Sequence, residues 1–290
     1  MNDSTVLKAI FEKVESTVIA TGDQKPRTKP IRDALREAAA KAAMTHTDAG
    51  YFRIMVHVIF YSGMKASIVA EKESAIDRHF PSYSVAAGYG EQDISAILAD
   101  PEMLKNERKI RACIYNAKEF ARLVKEHGCF AAYLRSIARV EDLPTDPKSV
   151  EDLRRLWTDL QGRFKFLGRI ISFHYLMEVG YDLVKPDRVI TRIFSRLRLV
   201  DGLPNPDHPN PQKLTDEQLW QIVRVGQQIA EATQLPIRYV DLVFVVFGQM
   251  EGQDPEGLPQ GICLDEKPKC YWCEVRAFCR YEPKTLSAPI

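Results

Sequence analysis

Four of the chain's six cysteines, Cys263, Cys270, Cys273 and Cys279, fall within seventeen residues near its C-terminal end. No other feature constrains the local chain as strongly, because so short a loop must either close around something or keep its thiols reduced. The N-terminus mixes charge throughout and lacks the apolar stretch of an export signal. In the cytoplasmic location expected from this, crowded cysteines point to metal rather than disulfides. The intervening stretches are six, two and five residues long. Thiolates are the ligand form, and four of them suit either tetrahedral zinc or an iron–sulfur cube. Four-cysteine zinc sites usually combine two short CxxC pairs, whereas this loop has one pair with a single cysteine on either side. A cube offers four separate corners and fits such a loop better than one ion does. A [4Fe-4S] cluster is the expected cofactor, with zinc and free or redox thiols as the alternatives. Cys113 and Cys129 stand apart and read as buried thiols.

The rest of the chain reads as helix. At 290 residues and 45% apolar content, it can bury one large core or two modest ones. No apolar run is long enough to span a membrane. Residues 32–44 are rich in Ala, Arg and Glu, which favour helix. Residues 51–71 carry Phe52, Met55, Val56, Ile59, Phe60 and Met64 at short spacing, which predicts one buried helix. Leu104, Ile110, Ile114, Ala117, Phe120 and Leu123 repeat near the helical period before Gly128. Ser149 is the expected N-cap of a helix that ends at Gly162. Further helices are expected up to Gly180, from Asp187 to about Leu199, and over 215–233 and 236–249. Residues 201–212, with four prolines, are a loop.

Net charge is only +1, but its distribution is uneven. From Arg154 to Arg198 there are ten basic residues against Asp159, Glu178, Asp182 and Asp187, so ten minus four leaves +6. That excess suits a surface that tracks phosphates; the alternative is a solvated helix face neutralised by its neighbours. Inside it lies Phe164-Lys165-Phe166-Leu167-Gly168, a tight hairpin between two helical stretches. Helix, hairpin, helix is a device for holding nucleic-acid backbone: it presents backbone N–H groups and the positive end of a helix dipole. Lys165, Phe166, Gly168 and Arg169 are its candidate contacts, with Arg188 nearby.

These motifs resemble the helix-hairpin-helix (HhH-GPD) DNA glycosylase superfamily. CLDEKPKCYWCEVRAFC has the cysteine spacing of the cluster loop of endonuclease III, and YVDLVFVVFGQ resembles the helix leading into it. DISAILADPEMLKNERKIRACIYNAKEFARLVKEHGCFAAYL is similar to the 3-methyladenine DNA glycosylase I family, including Asn106, Arg108, Lys109, Ile110, Asn116 and Ala117. The hairpin FKF, followed by an aliphatic residue and glycine, is similar to that family too. Residues 50–180 therefore resemble one branch of the superfamily and residues 187–290 another. The resemblance implies a structural cluster that shapes the loop against DNA, with Lys267, Lys269 and Arg276 as its candidate backbone contacts, and a catalytic aspartate at Asp187, with Arg192 and Arg196-Leu197 at the following spacing. A carboxylate there stabilises the positive charge that builds on the sugar as an N-glycosidic bond breaks. Asp187 is also a good N-cap in its own right.

The resemblance also has gaps. Some members carry a Schiff-base lysine two residues after the hairpin glycine; here that residue is Ile170, so efficient AP lyase activity is not expected. Val58 and Ala66 stand where the 3-methyladenine enzymes carry a glutamate and a tryptophan, and their zinc ligands are missing, so base preference does not transfer. His57, Tyr61, Lys65, His174 and Tyr175 are the candidate pocket or wedge residues for a flipped base. The expected fold is all-α and two-lobed. One lobe is 50–182, with the helix-hairpin-helix at about 150–180; the other combines 1–49 with 183–290. The expected function is a monofunctional DNA N-glycosylase of base excision repair, a monomer acting on double-stranded DNA that contains a modified base, alkylated purine being favoured. The alternative is a non-catalytic iron–sulfur protein that binds DNA lesions or structures.

Overall fold

The structure, a computed structural model, describes residues 3–22, 29–41, 46–138, 150–203, 210–249 and 261–281. Among these residues all regular structure is helical and no strand forms. None of their helices is long and apolar enough to cross a membrane. The chain divides into two compact units, one of residues 1–42 and 182–290, the other of residues 43–181. Helices α1 (Ser4–Gly22) and α2 (Ile31–Lys41) begin the first unit. The second contains α3 (Asp48–Tyr61), α4 (Ala66–Ala70), α5 (Glu73–His79), α6 (Tyr83–Ala86), α7 (Glu91–Ala99), α8 (Glu107–His127), α9 (Phe130–Ala138), α10 (Val150–Arg163) and α11 (Arg169–Glu178). The chain then returns to the first unit through α12 (Arg188–Arg196), α13 (Asp216–Thr233) and α14 (Ile237–Gly248).

In the 43–181 unit, α3 starts where the Thr47 hydroxyl accepts the Gly50 N–H at 3.2 Å. It buries Phe52, Met55, Val56, Ile59 and Phe60. The apolar spacing over 51–71 predicts a single helix, but α3 stops at Tyr61. The Lys109 ammonium donates to the carbonyls of Phe60 (2.8 Å) and Ser62 (2.6 Å), taking acceptors that a further turn would use. Gly63 then adopts φ +69°, a conformation glycine tolerates best. α8 is capped by Asn106 and closed by Gly128 at φ +85°. Its apolar face stacks Phe120 on Phe130 at 4.0 Å between ring centres. α10 runs through Gly162 to Arg163 rather than stopping at the glycine; a glycine inside a packed helix costs only about 1 kcal/mol, which burial of Leu153, Leu156, Trp157 and Leu160 outweighs. Its expected cap, Ser149, lies outside the described residues. Cys113 is buried as expected, whereas Cys129 is half-exposed in the turn before α9, where its sulfur accepts the Ala132 N–H at 3.3 Å.

In the other unit, α14 is the central element. Its run YVDLVFVVFG is buried on nearly every side, so it lacks the polar stripe of a surface helix. Phe244 meets Phe11 of α1 and Phe194 of α12 edge-on, at 5.7 and 5.2 Å. Two glycines permit close approach. A Cβ at Gly248 would lie 2.7 Å from the Ile193 Cδ1 of α12, and one at Gly226 of α13 would lie 2.6 Å from the Val184 Cγ1.

Candidate active site and cysteine loop

Asp187 follows Pro186 and caps α12. Its Oδ1 accepts the N–H groups of Val189 and Ile190 at 2.9 and 3.1 Å, so the carboxylate sits at the positive end of the helix. Its Oδ2 faces the Lys185 ammonium at 3.2 Å. Behind them, on α14, Asp241 is 1% exposed. Its Oδ1 accepts the Lys185 backbone N–H at 3.0 Å, and Oδ2 lies 3.2 Å from Arg238 Nη1. Burial pushes the Asp241 carboxyl up to about 6, against the pull of Arg238 and Lys185. Neither Lys185 nor Asp241 figures among the residues singled out from sequence. The one signal was a lone carboxylate within the apolar run of α14.

α12 ties this carboxylate to the cysteine loop. Arg192 and Arg196, one turn apart, are each 1% exposed. Arg192 donates from Nε to the Cys263 carbonyl (3.1 Å) and from Nη2 to the Gly248 carbonyl. Arg196 Nη1 donates to the Leu264 carbonyl (2.6 Å) and to the Cys263 sulfur (3.3 Å), and its guanidinium lies 4.0 Å above the Tyr281 ring. The +6 excess read from sequence is therefore not all surface: two of its ten cations point inward, because loop carbonyls and a thiol give them partners there. Arg188 is exposed and lies 3.4 Å from Asp265.

The loop is anchored at both ends. The N–H groups of Ile262 and Cys263 both donate to the Phe247 carbonyl at 2.8 Å, and the Arg280 N–H donates to the Arg196 carbonyl at 2.8 Å. In between, the Glu274 N–H donates to Thr17 of α1 at 3.1 Å. Cys263, Cys270, Cys273 and Cys279 are all free thiols, each partly buried on this loop. Burial pushes those of Cys270, Cys273 and Cys279 up, Cys273 to about 12, and the neighbouring cysteines act in the same direction. The Tyr281 N–H donates to the Cys279 sulfur at 3.4 Å. Among the described residues, no group of three or more His, Cys, Asp or Glu side chains is disposed to hold a single metal ion. Lys267 and Arg276 are exposed on the loop, Lys267 at φ +49°, while Lys269 is half-buried with its N–H on the Ile262 carbonyl.

In the other unit, the turn between α10 and α11 is built on Asn116. This α8 side chain is fully buried; it accepts the Lys165 N–H at 2.7 Å and donates to the Lys165 carbonyl at 2.9 Å. The Trp157 indole donates to the Arg169 carbonyl, and the Ser172 hydroxyl to that of Leu167, both at 2.8 Å. Phe166 takes φ +62°, and Gly168 precedes α11 as an N-cap with no side chain to cover the first amides. Lys165 is exposed, with Nζ 4.9 Å from the centre of the Tyr115 ring. In the sequence Asn116 stands out only as part of the family motif, and its role as the clamp comes from its contacts with Lys165.

The pocket candidates fall into separate groups. His57 Nε2 meets Asp77 at 2.7 Å, and the Tyr61 hydroxyl donates to Glu73 at 2.6 Å. Partial burial works upward on the Asp77 carboxyl, but hydrogen bonds from Arg53 and His57 hold it below its usual range. Lys65 is exposed before α4. His174 lies 3.6 Å from Glu178. Tyr175 is fully buried, with its hydroxyl on the Tyr51 carbonyl at 3.3 Å. Val58 is buried inside α3, and Ala66 is exposed.

The sequence pattern of the methyladenine glycosylase family matches residues 41–185. The chain belongs to this family. The match covers the 43–181 unit and its turn and ends two residues before Asp187. Solved structures of 3-methyladenine DNA glycosylase I are similar at low identity. One shares 20% identity over 53% of this chain and 90% of that one, with a TM-score of 0.43. Another, from Staphylococcus aureus, shares 19% over 54% and 88%, with a TM-score of 0.42.

Proposed function

We propose that this protein is a DNA N-glycosylase that releases a modified base, an alkylated purine, from double-stranded DNA by hydrolysis. The observation that carries the reading is the match of residues 41–185 to the methyladenine glycosylase family. The turn at 164–168 suits a phosphate of the DNA backbone: Gly168 leaves the first amides of α11 uncovered, and Lys165 adds a cation. Asn116 holds the turn in that shape. Asp187 acts on the sugar. As the base leaves, positive charge builds at the anomeric carbon, and a carboxylate fixed by two helix amides stabilises it without having to reorganise. The same carboxylate orients the attacking water. Ile170 offers no amine where relatives with lyase activity carry one, so water is the nucleophile in this reading.

Cys263, Cys270, Cys273 and Cys279 would hold a [4Fe-4S] cluster. The fit rests on four partly buried thiols within electrostatic reach of one another, on N–H and guanidinium donors to two of the sulfurs, and on buried cations beside them. When bound, the cluster supplies negative charge and rigidity to the loop. Lys267 and Arg276 then face solvent as phosphate contacts.

The test is base release from a panel of duplexes, each bearing one modified base, with Asp187→Asn as the control. Release that survives Asp187→Asn removes Asp187 from the mechanism, and no release from any duplex overturns the reading.

A further inference from the structure

α14 is apolar on nearly every side, yet it carries Asp241 with 1% of its surface exposed. A buried carboxylate gives up its hydration and needs partners. Arg238, one turn back in the same helix, supplies one at 3.2 Å. The other lies outside the helix: the Lys185 backbone N–H donates to Asp241 Oδ1 at 3.0 Å.

Lys185 begins the three-residue segment that ends in Asp187. Pro186 fixes its own φ and restricts the residue before it. The Asp187 N–H folds back onto the Lys185 carbonyl at 2.7 Å. At the far end the Asp187 carboxylate is pinned by two amides of α12, and its free oxygen meets the Lys185 ammonium at 3.2 Å. Asp241 is the partner that ties the near end of this segment to the core.

We propose that Asp241 is a positioning residue for base release: by holding the Lys185 backbone N–H and attracting the Lys185 ammonium, its carboxylate fixes the Lys185-Pro186-Asp187 segment, and with it the direction in which Asp187 presents Oδ2. This rests on the reading of Asp187 as the reacting carboxylate. An asparagine would accept the same hydrogen bond without the cost of burying a charge. A carboxylate adds attraction for the Lys185 ammonium, which then answers to Asp241 as well as to Asp187. The charges acting on Asp241 are Arg238 from its own helix and Lys185 and Asp187 from the segment before α12. Burial raises its carboxyl to about 6, so it loses its charge as pH falls through that value.

The experiment compares the full-length protein with Asp241→Asn in single-turnover base release from dimethyl sulfate-treated duplex DNA, across a range of pH. The wild-type rate should fall as pH drops through about 6. The variant should be about ten-fold slower at about pH 8 and lack that acid limb, since small misplacements of a reacting group are costly. Its thermal midpoint at the higher pH should be no lower than wild type, because a buried charge has been removed. An unchanged rate and pH profile would overturn the proposal, as would a slower rate with the acid limb intact and a lower thermal midpoint. A second measurement needs no turnover: the carboxyl NMR titration of Asp187 should move when Asp241 becomes Asn, and a superimposable titration would overturn the proposal. If neither protein releases a base, the glycosylase reading falls, and the titration still decides whether Asp241 positions Asp187.

Discussion

The turn at 164–168 and the loop at 261–281 are both irregular segments held in place by distant side chains, but by opposite means. Around the turn the partners are neutral: the Asn116 amide, the Trp157 indole and the Ser172 hydroxyl. Around the loop two buried cations, Arg192 and Arg196, reach the Cys263 and Leu264 carbonyls and join neutral anchors at the Phe247 carbonyl and the Thr17 hydroxyl. A neutral hydrogen bond contributes about 1 kcal/mol net and depends little on pH or metal. A buried guanidinium has lost its hydration and stays favourable only while its counterpart is present. The turn is therefore held by neutral groups alone, whereas part of the loop depends on two buried cations keeping their partners. The family match covers the turn and stops short of the loop.

The contrast can be broken most severely at the cysteines. Cys270→Ala should abolish iron and sulfide content and the blue-region absorbance of the purified protein, and should leave the loop open to protease. A wild-type protein without iron would remove the cluster from the picture altogether. Next in size, Arg196→Met deprives the Leu264 carbonyl and the Cys263 sulfur of a donor. It should destabilise the 1–42 and 182–290 unit by about 2 kcal/mol in denaturant unfolding, and should lower iron retention, as stranding buried acceptors of a charged donor does. If it unfolds like wild type, the claim that charge holds the loop fails. Asn116→Ala strands two backbone groups of Lys165. It should cost about 2 kcal/mol in thermal unfolding and weaken duplex binding, with iron content unchanged. A parallel loss of iron would show that the two regions are not held independently. The smallest effect belongs to Lys165→Ala, which should lower the salt-dependence slope of duplex binding by about one. An unchanged slope would take Lys165 off the phosphate backbone.

Much of this was legible in advance. The helical period found α8 and the approximate limits of α13 and α14. The cap chemistry of aspartate found the start of α12. Local patterns carry that kind of information. What they missed depends on residues far apart in the chain. The spacing over 51–71 is sound for one helix, but Lys109 takes the carbonyls at which α3 ends. The basic stretch around α12 reads as surface, although Arg192 and Arg196 turn inward to carbonyls about seventy residues away in the case of the Cys263–Arg192 pair. Tyr175 has the chemistry of a pocket residue but lies in the core. Asp241 and Asn116 act through backbone groups of Lys185 and Lys165, and backbone partners leave no trace in side-chain patterns.

Gly226 gives the segment before Asp187 an unexpected vulnerability. Its missing side chain is the space into which the Val184 methyl groups fit, one residue ahead of Lys185. An alanine there, harmless to an isolated helix and even favourable to it, would push the incoming strand of chain off α13. A change on a helix with no chemistry of its own would thus reach the carboxylate through plain crowding, and a screen confined to charged residues would overlook it.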